Sequence, residues 1–168
     1  MISIEYLRER LVYNPVTGRL MWRYHDAMPK KWNARWAENE AFATKHNEGY
    51  RQGKIDGTTY LAHRVAFAVY YGHWPVDMID HINGDKADNR IANLREATNS
   101  ENQSNRPKPK NNTSGFKGVT RNSSGWVAQI KLNSKLHYLG TFKSPEQASK
   151  VYIDAAAKMH GDFARLDV

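Results

Sequence analysis

The residues best suited to chemistry lie between Met78 and Asn105, where an aspartate and a histidine, Asp80 and His81, stand side by side. A carboxylate can bind a divalent metal ion, and an imidazole can take up a proton near neutral pH. The chain has no cysteine, so disulfide bonds and thiolate metal sites are excluded. An isolated Asp-His pair is also common on surfaces and in hydrogen-bonded cores, and the pair alone leaves both interpretations open.

The pattern around this pair predicts the order strand, loop, strand, helix. Residues 78–82 form the first predicted strand, the Asn83-Gly84 pair favours a turn, and residues 93–97 form the second strand. The stretch 98–101 has the sequence of a capping box, which predicts a short helix.

The predicted strand creates a geometric difficulty for Asp80 and His81. Adjacent residues on a strand point to opposite faces. The two side chains can therefore serve one point only if the backbone bends, and the nearby turn at Asn83-Gly84 makes such a bend plausible.

Several other elements are expected in the first 105 residues. They are a helix over 3–12, a strand over 19–23, a hairpin over 50–61 that turns at Asp56-Gly57, and an apolar helix over 62–71. The stretch 25–49 has weak periodicity and receives no assignment.

The C-terminal third differs in charge and pattern. The whole chain of 168 residues has a net charge of +8, and residues 106–168 hold eleven Lys or Arg against four Asp or Glu. Residues 106–113 form a predicted basic linker because two prolines disfavour helix there. Strands are expected over 116–121, 126–132 and 135–142, followed by a helix from Ser144 to Gly161.

These patterns predict an α+β protein whose C-terminal part is a three-stranded antiparallel sheet packed on one helix. The excess of positive charge favours a polyanion as partner, although a merely solubilising surface explains charge equally well. No apolar run is long enough to cross a membrane, and the N-terminal residues lack the apolar stretch of a signal peptide. We therefore expect a cytoplasmic protein.

The first 105 residues also resemble the HNH (His-Me finger) endonucleases, in the form found in phage and intron homing endonucleases. The resemblance rests on matching residues at matching spacing: Gly49-Tyr50, residues 60–64, residues 72–75, Asp80-His81, Asn83-Gly84, residues 88–90, residues 93–95, Glu101-Asn102 and Asn105. It implies an HNH nuclease domain over 1–105 with a ββα-metal finger over 78–105.

The resemblance also implies roles for individual residues. His81 matches the general base that activates water, and Asp80 and Asn102 match the ligands of one divalent metal ion. Magnesium is the expected ion and manganese is possible, since the site offers oxygen donors and little charge. Asn93 matches an asparagine that braces the loop and orients the histidine. Arg64 matches a recurrent position, for which a phosphate contact and a pairing with a buried carboxylate are both open.

Residues 114–168 resemble the plant ethylene-response-factor (APETALA-type) DNA-binding domain. The resemblance rests on Gly118-Val119, residues 126–130, residues 139–142, residues 146–148, residues 152–156, Gly161 and Ala164. It implies that the sheet lies in the major groove of double-stranded DNA. The candidate DNA contacts are Lys117, Thr120, Arg121, Gln129, Lys131 and Tyr138. The plant pattern has arginine where Thr120 stands, so the plant recognition sequence is not expected.

The function that follows is a site-specific DNA endonuclease of the HNH homing type. The alternative is a sequence-specific DNA-binding regulator with an inactive finger, and a third interpretation is a nuclease acting on RNA or on DNA without specificity. The target site, the number of strands cut and the oligomeric state do not follow from the sequence.

Overall fold

The computed structural model describes residues 2–166, and these residues divide into two compact units. The first unit extends to Glu96 and the second begins at Ala97. The sequence-based domain limits, 1–105 and 114–168, therefore differ from the compact units, which meet before the predicted linker. Residues 1, 167 and 168 of those domains lie outside the described residues.

The first unit combines short strands with three helices. In chain order the elements are α1 (Ile4–Arg10), β1 (Leu11–Asn14), β2 (Arg19–Trp22), α2 (Lys30–Trp36), β3 (Glu40–Ala41), β4 (Thr44–Lys45), β5 (Arg51–Ile55), β6 (Thr58–Leu61), α3 (Ala62–Tyr71), β7 (Met78–His81) and β8 (Leu94–Ala97). The sheets have the strand orders β1-β2-β3, β4-β5-β6 and β7-β8.

Local signals explain where the elements of the first unit begin and end. The hydroxyl of Ser3 accepts a hydrogen bond from the Tyr6 amide and caps α1. The helix ends before Leu11, earlier than the predicted residue 12, because Leu11 pairs with Trp22 in the β1–β2 ladder. The predicted hairpin is confirmed as β5 and β6, with positive φ angles at Asp56 and Gly57.

The core of the first unit lies where α1 and α3 pack against the small sheets. Its most buried side chains belong to one apolar cluster that includes Leu7, Leu11, Leu20, Ile55, Val65, Phe67, Ile79 and Leu94. Ile79 on β7 and Leu94 on β8 join this cluster, so the core fixes both strands that flank the loop 82–93.

The second unit contains α4 (Asn99–Ser104), β9 (Val119–Asn122), β10 (Gly125–Leu132), β11 (Lys135–Phe142) and α5 (Pro145–His160). The three strands form an antiparallel sheet in the order β11-β10-β9. Ala128, Ile130 and Val119 on the sheet pack with Ala148, Tyr152 and Ala156 of α5. The first strand begins at Val119 rather than at residue 116, because the positive φ of Gly118 departs from strand geometry.

Hydrogen bonds explain why α4 belongs to the second unit. The Ser104 hydroxyl lies 3.1 Å from Nδ1 of His160, and the Lys117 ammonium donates to the Ser104 carbonyl at 2.6 Å. The Asn133 amide donates to the Ser100 hydroxyl at 3.2 Å. The molecule is thus a mixed α/β protein with several small antiparallel sheets. Within residues 2–166 no helix has the length and hydrophobicity that crossing a membrane requires.

Candidate functional site

His81 ends strand β7, and its side chain is buried, with 4% of its surface exposed. Its Nε2 lies 3.3 Å from Oδ1 of Asn89, which is a hydrogen bond when Nε2 carries the proton. Burial lowers the pKa of His81, and the Asn89 hydrogen bond and nearby aspartates only partly oppose this effect. The imidazole is therefore neutral at neutral pH, and in the tautomer that bonds Asn89 the lone pair lies on Nδ1.

Two further rings pack against the His81 imidazole. The His63 ring meets it edge-on with centroids 5.0 Å apart, and the Tyr50 ring is tilted against it at 5.9 Å. His63 is also buried, and its Nδ1 has no hydrogen-bond partner within residues 2–166. Burial, together with the charges of His81 and Arg64, lowers the pKa of His63 to about 3. His63 is therefore a neutral packing partner for His81.

Asn93 braces the loop between β7 and β8. Its Oδ1 accepts from the Asn83 amide at 2.9 Å, and its Nδ2 donates to the Asp88 carbonyl at 2.8 Å. Its own carbonyl accepts from the Ile82 amide at 2.9 Å. One buried residue therefore ties the start of the loop to its middle.

An exposed ion pair stiffens the outer part of the same loop. Asp88 accepts hydrogen bonds from Arg90 Nη2 at 2.6 Å and from Asn83 Nδ2 at 2.8 Å. The Arg90 contact holds the pKa of Asp88 at about 2. Asp88 thus remains charged over the physiological pH range and keeps its ion pair with Arg90.

The β1–β2 hairpin supports this loop from behind. The Tyr13 hydroxyl donates to the Asn89 carbonyl at 2.7 Å, and the Ile91 amide donates to the Pro15 carbonyl at 3.1 Å. Gly18 has φ +72°, and a Cβ there would lie 2.5 Å from the Arg90 nitrogen. Tyr13 and Asn89 are distant in the chain, so this support does not follow from the sequence pattern.

Asp80 engages a different partner from its neighbour His81. Its Oδ2 accepts from Nε and Nη2 of Arg95 at 2.9 and 2.7 Å, and Asp80 is 3% exposed. Arg95 lies on β8, beside β7 in the sheet. Arg95 enters the sequence pattern only as part of a motif, although opposite charges on two paired strands are a signal for such an ion pair.

Asn102 lies on α4 in the second unit and is half-buried. The predicted capping box is confirmed: the Thr98 hydroxyl accepts from the Glu101 amide, and the Glu101 carboxylate accepts from the Thr98 amide at 2.7 Å. The cap fixes the position where α4 begins, and therefore where Asn102 stands on the helix.

The donor chemistry of Asp80 and Asn102 suits a magnesium ion. Carboxylate and amide oxygens are ligands that this ion accepts, and it keeps several waters when bound. The Arg95 bridge is made through Oδ2 of Asp80. Residues 2–166 contain no group of three or more His, Asp and Glu placed to hold a metal, so protein ligands would be few.

Arg64 on α3 contacts backbone rather than a carboxylate. Its Nη1 donates to the Asp77 carbonyl at 2.9 Å and its Nη2 to the Pro75 carbonyl at 3.0 Å. These bonds hold the segment that leads into β7, so the guanidinium has a structural role in this conformation.

The six candidate DNA contacts of the second unit do not share one face. Residues paired across antiparallel strands lie on the same face. Thr120 pairs with Val127, and Gln129 with Tyr138, whereas Arg121 pairs with Trp126, whose ring belongs to the α5 side. The Arg121 guanidinium lies 5.1 Å from the Trp126 ring centroid.

The remaining two candidates also separate. Lys131 is exposed on β10, on the same face as Gln129. Lys117 precedes β9 and donates to the end of α4, as described above. The structure therefore groups Thr120, Gln129, Lys131 and Tyr138 on the face away from α5, called here the outer face, and places Arg121 and Lys117 elsewhere.

Comparisons with known proteins identify the part of the chain that contains this loop. Residues 60–104 match the family described as HNH endonuclease. Protein 3.8 of Escherichia phage T7 is 34% identical over 89 residues, which cover 52% of this chain and 73% of that protein. The Uncharacterized HNH endonuclease L560 of Acanthamoeba polyphaga mimivirus is 32% identical over 105 residues, covering 61% of this chain and 54% of that protein.

A third relative resembles a smaller part of the chain. Ethylene-responsive transcription factor ERN1 of Medicago truncatula is 43% identical over 58 residues, covering 33% of this chain and 22% of that protein. No solved structure matches the chain at a significant level. The family match over 60–104 includes β7, the braced loop and α4, and the mimivirus relative has the same family in its name. The chain belongs to the HNH endonuclease family.

Proposed function

We propose that this protein is a site-specific DNA endonuclease of the HNH homing type that hydrolyses phosphodiester bonds with one divalent metal ion. The observation that carries the proposal is the buried, neutral His81 within a braced loop, inside the segment that matches the family. The substrate is double-stranded DNA. Because one relative is a phage protein, the host-cell cytoplasm is the proposed place of action.

His81 acts as the general base. A neutral imidazole takes a proton from water, and the resulting hydroxide attacks the phosphorus while the bond to the 3′ oxygen breaks. The contacts with Asn89, His63 and Tyr50 hold the ring in one orientation, so little reorganisation is needed at the moment of proton transfer. Asn93 is a positioning residue, since it acts on the loop rather than on the reacting atoms.

Asp80 and Asn102 are the proposed metal ligands, and this part of the proposal rests on the family resemblance. When bound, the magnesium or manganese ion would neutralise charge on the phosphate and on the leaving 3′ oxygen. Arg95 fixes the carboxylate of Asp80 through one oxygen. In this scheme β7, β8 and α4 are the elements of a ββα-metal finger over 78–105.

In this proposal the C-terminal part recognises the DNA sequence at which the protein cuts. Residues 114–168 act as a DNA-binding domain of the ethylene-response-factor type, with a sheet packed on one helix, joined by the linker 106–113 to the nuclease domain 1–105. The outer-face residues Thr120, Gln129, Lys131 and Tyr138 are the first choice for groove contacts, and the similarity to ERN1 supports this. Arg121, Lys117 and Arg64 remain proposed contacts that would first have to leave their present partners.

One observation favours the alternative, a DNA-binding regulator with an inactive finger. The buried Asp80–Arg95 ion pair is a complete structural contact by itself. In the alternative this pair stabilises β7 and β8, and no metal binds.

Incubation of the protein with supercoiled DNA separates the two functions. With magnesium we expect nicked or linear DNA on a gel, no cleavage in EDTA, and recovery with manganese. Binding without cleavage under all these conditions would support the regulator. Digestion of a long mixed DNA then distinguishes discrete fragments, expected for a site-specific enzyme, from a smear.

A further inference from the structure

The first unit contains an aromatic pocket whose lining does not include His81 or the residues that contact it. Its volume is about 580 Å³, and its walls include Trp22, Met28, Trp32, Trp36 and Phe42. Trp22 meets Trp32 edge-to-face with centroids 5.4 Å apart and stacks near Phe42 at 6.3 Å. This size and lining are typical of a site for a small, mostly apolar group.

A buried cation lies in the wall of this pocket. Arg10 is 6% exposed, and its guanidinium carbon lies 4.9 Å from the Trp32 ring centroid. Its Nη1 donates to the Tyr6 hydroxyl at 3.2 Å, and that hydroxyl donates to Asp56 at 2.7 Å. Tyr6 thus links Arg10 to the carboxylate of Asp56, and Asp56 and Glu40 also line the pocket.

The same guanidinium has an unused donor. Nε of Arg10 is buried and has no hydrogen-bond partner within residues 2–166. Buried donors are normally paired, and an unpaired one costs free energy. Because Arg10 lines the pocket, its guanidinium is the donor in the wall for an acceptor atom of a ligand whose remaining surface contacts the rings.

The charged residues around the pocket indicate the kind of larger molecule to which such a ligand belongs. Helix α2 supplies Trp32 and Trp36 to the pocket and exposes Lys30, Lys31 and Arg35 to solvent, with no acidic residue in its first turn. Exposed cations beside aromatic walls suit a planar group attached to a phosphate backbone. A phosphate alone would leave the apolar walls without a partner.

We propose that this pocket binds one nucleobase of an unpaired or extruded nucleotide, stacked on the tryptophan rings with a carbonyl or ring-nitrogen acceptor turned to Arg10. The inference rests on the proposed function for DNA as the source of the base. The pocket would be a second place of DNA recognition, in addition to the outer face of the C-terminal sheet, and it is distinct from the His81 loop.

A duplex with a single bulged 2-aminopurine tests this proposal, with the same base fully paired as the comparison probe. The protein carries His81→Ala to prevent cutting. We expect about tenfold tighter binding to the bulged duplex and quenching of its fluorescence as the base stacks. Equal affinity for the two duplexes, with no quenching, would overturn the inference.

Two variants test whether the unpaired base binds in this pocket. Trp36 is 39% exposed, so Trp36→Leu should fold, and it should remove most of the preference for the bulged duplex. Tyr24→Leu, at an aromatic residue that is 63% exposed and outside the pocket, should keep the preference. A preference that survives Trp36→Leu would also overturn the proposal.

Competition distinguishes a base from an anion. Deoxyguanosine 5′-monophosphate should displace the bulged probe, whereas inorganic phosphate and ribose 5-phosphate should not at equal ionic strength. Equal displacement by phosphate would make the pocket an anion site and overturn the inference. Cleavage by the unmodified chain is measured separately. Cleavage without a preference for the bulged duplex would overturn only this inference. A preference for the bulged duplex without cleavage would overturn only the proposed nuclease activity.

Discussion

The loop between β7 and β8 and the outer face of the C-terminal sheet are both rich in polar side chains, but they hold them differently. In the loop region, His81, Asn89 and Asn93 are almost fully buried and are bonded to one another or to backbone. On the outer face, Tyr138 is 67% exposed, and Thr120 and Lys131 are also exposed.

The difference indicates which region suits proton transfer and which suits contact with a DNA groove. A buried network fixes orientation before any ligand arrives, which suits a proton transfer that tolerates little misplacement. Exposed side chains can change rotamer to follow a DNA groove, and each contributes little alone. Substitutions in the loop region should therefore have large effects, and substitutions on the outer face should have small ones.

The largest effect is expected for His81→Ala. Loss of a general base typically lowers the rate by about 10²–10⁴-fold. DNA affinity should change little, because the side chain is buried. Plasmid cleavage with magnesium measures the rate, and His73→Ala, at an exposed histidine of the same unit, is the control. Normal turnover by His81→Ala would contradict its role as base.

Asp80→Ala and Asn102→Ala should both abolish metal-stimulated cleavage but should differ in stability. Asp80→Ala leaves the largely buried Arg95 without its carboxylate, which costs about 3–5 kcal/mol. Asn102→Ala has no comparable ion pair to break. Urea unfolding and a magnesium titration of cleavage measure the two properties. Full activity of either variant, or of the unmodified chain in EDTA, would argue against metal binding by these residues.

A pH dependence of stability is expected from His63. Its pKa is about 3 in the folded protein and about 6.5 in an unfolded chain, so protonation favours unfolding. The stability is fully present above pH 6.5 and falls by about 1.4 kcal/mol per pH unit as the pH drops toward 3.

The matched variant for this test is His63→Gln, which does not titrate. His81, Arg64 and Tyr50 face the ring in both proteins, so their contributions largely cancel. The difference in unfolding free energy between the two proteins should shrink as the pH falls from 7 to 5. A constant difference would mean that the pKa of His63 is the same in the folded and the unfolded protein.

The smallest effect is expected on the outer face. Lys131→Ala should reduce the slope of log affinity against log salt by about one, and it should weaken all DNA sequences alike. Lys150→Ala, at an exposed position of α5, should leave the slope unchanged. Equal slopes in both variants would show that Lys131 does not touch phosphate.

Elements with local signals could be predicted from the sequence. The Asp56-Gly57 hairpin, the Thr98 capping box and the end of α3 at Gly72 each depend on a few neighbouring residues, and all three are confirmed. Helix α2 was missed because its turns alternate tryptophan with lysine and arginine, without the apolar stripe that marks an amphipathic helix.

The contacts that orient the candidate site could not be predicted in this way. The bonds from Asn89 to His81 and from Tyr13 to Asn89 join segments that only the folded core brings together. Motif matching found His81 and Asn93 but attached no role to Asn89. It also grouped Arg121 with the outer-face residues, whereas strand pairing puts it opposite Trp126.

The β1–β2 hairpin sets a lower limit on any shortened version of this nuclease. A fragment cut to the family match, residues 60–104, would lose Tyr13 and the turn at Gly18, and the Asn89 carbonyl would lose its donor. It would also lose Tyr50, one of the two rings against His81. A fragment that keeps Tyr13 and Tyr50 must therefore begin no later than β1, so the contacts that support His81 extend far outside the segment that matches the family.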